Sequence, residues 1–215
     1  MTPPAASIAG TRRAPTRRRS TRRRSSRRRG ALWLIGGAAI AVFIAVLVAP
    51  LFQKAIRDLS LPLQHSDIIR QQAAEKHLDP ALIAAVIYAE TKFDARTSPA
   101  GALGLMQIEP ETAQFLAHRS GATTFTIGDL GSPQVNIAYG SYYLRYLIDH
   151  YGGNVTLALA AYNAGQTNVD RWVQSSGEGL TVRQIPFGET RAYVSRVLWA
   201  QRQYRHTYAS QLGYG

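Results

Sequence analysis

The sequence predicts a mainly α-helical domain, carried behind a single membrane-spanning helix and a disordered basic tail. Three observations predict this. From Ser66 onward the apolar residues recur at helical spacing, punctuated by proline starts and glycine stops. Between Gly30 and Ala49 no residue is charged. Ahead of that run lies nearly all of the excess charge.

The formal net charge of the 215 residues is +12. Eleven of the 25 basic residues are arginines between Arg12 and Arg29, a stretch without one acidic residue. The remaining 14 basic residues face 13 acidic ones, so the rest of the chain is almost neutral. A nucleic-acid partner is therefore not expected for the globular part. Residues 1–29 are Arg, Ser, Thr, Pro and Ala with little to bury, which predicts disorder and a topogenic role beside anionic lipid. The chain contains no cysteine, which excludes disulfides and thiolate metal sites.

Residues 30–52 read as the anchor. About 20 apolar residues cross the hydrocarbon core as a helix, and this run has that length. Trp33 sits near one end, where interfacial aromatics belong. The arginines before it place the N-terminus in the cytoplasm and the later residues outside. A cleaved signal peptide is the competing reading, but the run is long and no A-x-A-like site follows it before Pro50. Residues 53–65 form a connector of at most roughly 45 Å when extended, which keeps the domain near the membrane.

The domain itself is assigned to residues 66–208. Ser66 reads as an N-cap for a helix through Ile69, Gln72 and Ala73 to His77. Asp79-Pro80 is a second start, after which Leu82, Ile83, Val86 and Ile87 line one face. Ser132-Pro133 opens a helix stopped by Gly152-Gly153, and Asn154 caps the next, which ends at Asn163-Ala164-Gly165. A last long helix starts at about Glu189 and passes Tyr193 and Val197 to Tyr204. No run of alternating strand residues stands out.

Glu90 follows Ile87 by three residues and Ile83 by seven, so a helix puts it on their buried side. It also falls at the helix C-terminus. Desolvation and the negative end of the macrodipole both favour a protonated carboxyl there, as a proton donor requires. Spacing alone leaves an exposed glutamate at a frayed helix end as the commoner reading. Gly101 and Gly104 permit a tight turn close to a ligand, and Gln107 follows with an amide for sugar hydroxyls. Tyr162-Asn163 pairs a ring with an amide, a combination suited to stacking on a sugar and bonding to it. Tyr142, Tyr143, Tyr146 and Tyr151 crowd one helix, where packing is the usual role for such rings and lining a groove the other.

Four segments occur in a fixed order: Ala89-Glu90-Thr91-Lys92-Phe93, Gly101-Ala102-Leu103-Gly104-Leu105-Met106-Gln107, Ala161-Tyr162-Asn163-Ala164-Gly165, and Ile185-Pro186-Phe187-Gly188-Glu189-Thr190-Arg191-Ala192-Tyr193-Val194. Together they resemble the soluble lytic transglycosylase (SLT) domain family. The resemblance implies a goose-lysozyme-like fold, within the lysozyme-like α+β superfamily, with Glu90 as catalytic acid and base. It also implies substrate contacts from Thr91, Ser98, Met106, Gln107, Tyr162, Asn163, Glu189 and Tyr193. Thr91 stands where the family commonly has serine, and the stretch from Glu90 to Ser98 is a residue shorter than the commonest form.

The implied activity is cleavage of the β-1,4 bond between N-acetylmuramic acid and N-acetylglucosamine in peptidoglycan, forming a 1,6-anhydromuramyl product. Near Glu90 the sequence offers only Asp94, Glu109 and Glu111 as further acids. Asp94 reads as a turn residue, and Glu109 and Glu111 flank Pro110 at a helix start. Most glycosidases use two carboxylates, whereas an intramolecular nucleophile on the sugar removes the need for the second. A hydrolytic muramidase and a non-catalytic wall-binding module remain as alternatives. The five histidines show no metal-ligand spacing, and no cofactor is expected.

Overall fold

The structure, a computed structural model, describes residues 61–214 apart from 177–178, together with positions 43 and 46. The tail and the anchor expected over 1–52 therefore lie outside the described residues, apart from those two positions. Among the described residues no helix is long and apolar enough to cross a membrane. A compact unit occupies 56–215, and its fold is as follows.

Helix α1 spans Ser66–Lys76 and α2 spans Pro80–Thr91. Two short strands, β1 (Arg96–Thr97) and β2 (Leu103–Gly104), pair antiparallel. Then come α3 (Pro110–Ser120), α4 (Pro133–His150), α5 (Val155–Ala164), α6 (Gln166–Ser176) and α7 (Gly188–Thr207), with 3-10 turns at Ile127–Gly131 and Val182–Gln184. The hairpin, α6 and both 3-10 turns were not anticipated from the sequence. Two-residue strands are too short to alternate, whereas α6 does carry Val169, Trp172 and Val173 at helical spacing, a signal that was there to be read.

Most caps follow local chemistry. Asp79 accepts from the Ala81 amide at 3.0 Å, and Pro80 takes the first helical position. Asn154 accepts from Leu157 N–H at 3.1 Å. Helix α4 ends as Gly153 N–H bonds the Ile148 carbonyl at 2.8 Å. Ser66 is not the cap of α1. His65 holds that position in the left-handed region, and Ser66 is already helical.

The centre of the domain is α2. The sequence predicts one apolar face on it, but every residue from Ala81 to Tyr88 is buried. A helix apolar all round must be surrounded. Helix α7 packs along it, and α5, also buried from Leu157 to Ala161, packs on α7. Chain flanking the helices packs as well: Leu61 and Leu63 touch the core, Leu212 is buried, and Tyr204 donates to the Pro62 carbonyl at 2.5 Å.

Helix α4 supports the loop after β2. Its Gly140 lies against Met106, so that an added Cβ would collide with the sulfur and stand 2.8 Å from Met106 Cβ and Cε. Overpacking of this kind costs about 1–3 kcal/mol. Gly140→Ala is expected to lower the unfolding free energy by that amount, read in urea as a lower midpoint with the slope of the transition unchanged.

Candidate active site

Glu90 is the penultimate residue of α2. The helix stops at once, because Lys92 and Phe93 both adopt left-handed backbone, at φ 54° and 64°. The buried Phe93 ring turns back against Tyr204. The chain then runs into the hairpin, and two contacts fasten hairpin to helix end. Thr91 Oγ1 donates to the Leu105 carbonyl at 2.8 Å, with the Ile87 carbonyl at 3.2 Å. The Arg96 guanidinium donates to the Glu90 carbonyl at 3.1 Å.

The loop after β2 is fixed from three sides. Asn136 of α4 is buried, and its side chain bonds three backbone groups. It accepts from Met106 N–H at 2.8 Å and donates to the Leu103 and Leu130 carbonyls at 2.9 and 3.1 Å. The Tyr162 hydroxyl donates to the Met106 carbonyl at 2.9 Å. Gly104 carries φ +74°, with the Asn136 amide where a Cβ would stand, which leaves glycine as the residue that fits. Gln107 then takes φ 50° and turns its side chain back. Its amide nitrogen bonds the Arg96 and Gly104 carbonyls, each at 2.8 Å.

These elements enclose a cleft of about 500 Å³. Glu90, Ser98, Gln107, Tyr162, Asn163 and Glu189 line it, so six of the residues singled out from sequence converge on one space. Three do not line it. Thr91 is buried with its hydroxyl committed to backbone carbonyls. Met106 has no exposed surface, and its side chain packs on α4 while its carbonyl meets Tyr162. Both therefore act from behind the cleft wall rather than as contacts on substrate. Tyr193 is also buried, beside Glu90.

The cleft also holds two residues that sequence reasoning had not placed among the site residues. Tyr143 lines it, its ring 5.3 Å from that of Tyr162. Glu109 lines it too, although it also precedes Pro110 at the start of α3. Glu90 is thus not the sole carboxylate of the cleft; Glu109 and Glu189 share it, both exposed. The helix-start pattern at Glu109-Pro110 masked that second role. Asn136 carried one legible signal, an amide on the apolar side of α4 beside Ile137 and Gly140.

Burial sets Glu90 apart from the other two acids. Desolvation pushes its carboxyl from an ordinary 4.5 up to about 7. The Tyr193 hydroxyl, Arg196 and Arg96 oppose the rise, in that order, and do not cancel it. The buried Tyr193 hydroxyl makes no well-aligned hydrogen bond, and it lies close enough to the carboxyl to favour its ionised form. Glu90 in turn pushes the phenols of Tyr193 and Tyr162 upward, adding to the larger effect of their own burial. The cleft therefore holds a carboxylic acid that keeps its proton at near-neutral pH. Among the described residues no three His, Asp or Glu side chains converge where they could hold a metal ion.

Against known proteins, the family described as "Transglycosylase SLT domain" matches residues 67–184. The soluble lytic murein transglycosylase of Salmonella typhimurium is 35% identical over 151 residues, covering 67% of this chain and 23% of that protein. The membrane-bound lytic murein transglycosylase C of Cronobacter sakazakii is 32% identical over 164 residues, covering 64% of this chain and 45% of that protein. Among solved structures, the lytic transglycosylase Slt of Pseudomonas aeruginosa, an inactive Glu-to-Gln mutant, superposes with TM-score 0.66 at 32% identity. That match covers 71% of this chain and 26% of the other. The chain thus spans about a quarter of the length of the soluble relatives, and relatives of both soluble and membrane-bound description occur.

The raised carboxyl has a consequence for stability. Below pH 4.5 Glu90 is protonated folded or unfolded, and the two states do not differ. Between 4.5 and about 7 the unfolded chain releases the proton while the folded one keeps it, so stability falls as pH rises. Above that the penalty is constant, at about 3 kcal/mol. Glu90→Gln is expected to melt at a higher temperature than the wild type at pH 8, with the gap closing towards pH 4.5. Equal melting temperatures at both values would mean an exposed carboxyl.

Proposed function

The chain belongs to the transglycosylase SLT domain family, and from that premise we propose that it is a lytic transglycosylase of peptidoglycan. One observation carries the reading: a desolvated carboxyl with a pKa of about 7, in a cleft lined by rings and amides. In this reading Glu90 first acts as an acid. Its proton goes to the glycosidic oxygen between N-acetylmuramic acid and N-acetylglucosamine, and the bond from that oxygen to C1 of the muramic acid breaks. The acetamido group of the same sugar stabilises the electron-poor carbon. Glu90, now a carboxylate, takes the proton of the C6 hydroxyl as O6 bonds to C1. The 1,6-anhydro ring closes, the acid is restored, and no water is consumed. Because the nucleophile is intramolecular, catalysis comes largely from positioning.

Ser98, Gln107, Tyr162, Asn163 and Glu189 are assigned to substrate contact, and Thr91, Met106 and Tyr193 to holding that wall and the acid in place. Ser98 Oγ accepts from Ala102 N–H at 3.0 Å, so its own proton remains for a sugar. Both amide hydrogens of Gln107 are used, which leaves its carbonyl oxygen for the ligand.

A second reading, hydrolysis, draws on Glu109, which could serve as base for a water in the same cleft. Mass spectrometry of muropeptides released from purified sacculi separates the two. Anhydro ends are expected, persisting in Glu109→Gln and lost by at least roughly a thousandfold in Glu90→Gln. Reducing ends that vanish with Glu109→Gln establish the hydrolase. The acid must be protonated to act, so kcat/KM is expected to fall tenfold per pH unit above about 7. A flat profile to pH 9 overturns Glu90 as proton donor.

For placement we propose the arrangement read from sequence: a cytoplasmic tail over 1–29, a single-pass anchor over 30–52, a connector over 53–65 and an extracytoplasmic catalytic domain over 66–208. The uncharged apolar run and the arginines before it support this. The full-length chain is expected to stay with membranes through an alkaline carbonate wash, and release by that wash argues against the anchor.

A further inference from the structure

Among the described residues of 61–214, three large apolar side chains are exposed: Phe115, Phe187 and Trp199. Phe115 packs on the Tyr146 ring, and Phe187 lines a cavity beside the cleft together with Glu189. Trp199 lines neither that cavity nor the cleft, yet it stands 44% exposed on α7. Its ring leans against that of buried Tyr88, 6.4 Å between centroids, so the core fixes the indole while nearly half of it stays at the surface.

The surroundings of Trp199 are basic. Arg196 precedes it by three residues and Arg202 follows it by three, both exposed, so the indole lies between two guanidinium groups on one side of the helix. From Thr190 to Gly215 the sequence holds no acidic residue. Arg191 and Arg205 of the same helix are engaged, the first by the Ile185 carbonyl and the second by Asp79. Arg196 is near enough to Glu90 to favour its charge, but among the described residues neither Arg196 nor Arg202 is paired with a carboxylate.

The chain enters the domain at this same helix. The Pro62 and Leu61 carbonyls accept from Tyr204 and Tyr208, five and nine residues beyond Trp199, or roughly 8 and 14 Å along the axis. Between the proposed anchor and Leu61 lie residues 53–60, a reach of at most roughly 29 Å. Glu189, at the cleft, stands roughly 15 Å from Trp199 in the other direction, so the two surfaces are separate. An indole flanked by guanidinium groups suits a layer of lipid headgroups. The ring takes the boundary between apolar and polar, and each guanidinium binds a phosphate.

We propose that Arg196, Trp199 and Arg202 form a docking face for the anionic phospholipid headgroups of the membrane, which lays the outer side of α7 along the bilayer surface. This rests on the placement proposed above, an extracytoplasmic domain behind a single-pass anchor.

The test uses the full-length chain carrying Trp33→Phe, so that the apolar run contributes no indole. It is reconstituted in vesicles of phosphatidylcholine, alone or mixed with phosphatidylglycerol, whose acyl chains carry bromine near the headgroup. Trp172 is buried in the domain, so quenching of tryptophan emission by bromine reports Trp199. Quenching is expected in the mixed vesicles and is expected to vanish in Trp199→Phe. The docked fraction is expected to fall at least roughly fivefold on phosphatidylcholine alone, and likewise in mixed vesicles when Arg196→Gln and Arg202→Gln are combined. The lipid comparison needs no change in the face itself, so it reads even where a variant folds poorly. Equal quenching in the two lipids, or none in either from a chain that resists the carbonate wash, overturns the docking face and leaves the anchor standing. An indole untouched by bromine but shielded from iodide overturns it too, and assigns the face to a second copy or a glycan strand. A chain released by the wash overturns both.

Discussion

A single carboxyl kept out of water is the constraint on which the rest depends. Helix α2 is buried on every side from Ala81 to Tyr88, and Glu90 inherits that environment at its end. Packing delivers the acid into a dry wall, and the same burial makes ionisation costly. Three favourable neighbours, Tyr193, Arg196 and Arg96, pull the other way. The balance leaves an acid that holds its proton at near-neutral pH and can still give it up.

The wall opposite the acid owes its shape to a residue that never reaches the cleft. Met106 has its N–H held by Asn136, its carbonyl by Tyr162 and its side chain by the space that Gly140 leaves open. Two helices, α4 and α5, thereby agree on the position of one loop. Gln107, next along, adopts left-handed backbone and swings to the other side. Met106 thus supports the surface on which Gln107 works.

This division explains what the sequence made legible. Spacing from Ile83 and Ile87 put Glu90 on the buried side of a helix end, the four ordered segments singled it out, and proline, asparagine and glycine punctuation located α2, α4 and α5. Local pattern could not show which side of the loop Met106 and Gln107 would take, because a left-handed residue between two elements reverses the alternation. The hydroxyl of Thr91 was visible as chemistry, but its use on the Leu105 carbonyl depends on a partner 14 residues away. Glu109 was read correctly as flanking a helix start and was still missed as a cleft residue. Being near one element in sequence says nothing about what another brings alongside. Asn136 and Tyr143 belong to α4, whose approach to the cleft is set by tertiary packing alone.

The attachment of the entering chain has a mechanical meaning. The Leu61 and Pro62 carbonyls are bonded by the hydroxyls of Tyr208 and Tyr204, at the far end of α7 from Tyr193. Those contacts sit roughly 16 Å along the helix from the residue beside the acid. Tension arriving through the preceding segment meets two phenols and the last turns of a long helix first. Tyr204 also packs on Tyr88 and Phe93, which bracket Glu90, so a load on the entering chain reaches the neighbourhood of the acid through those rings.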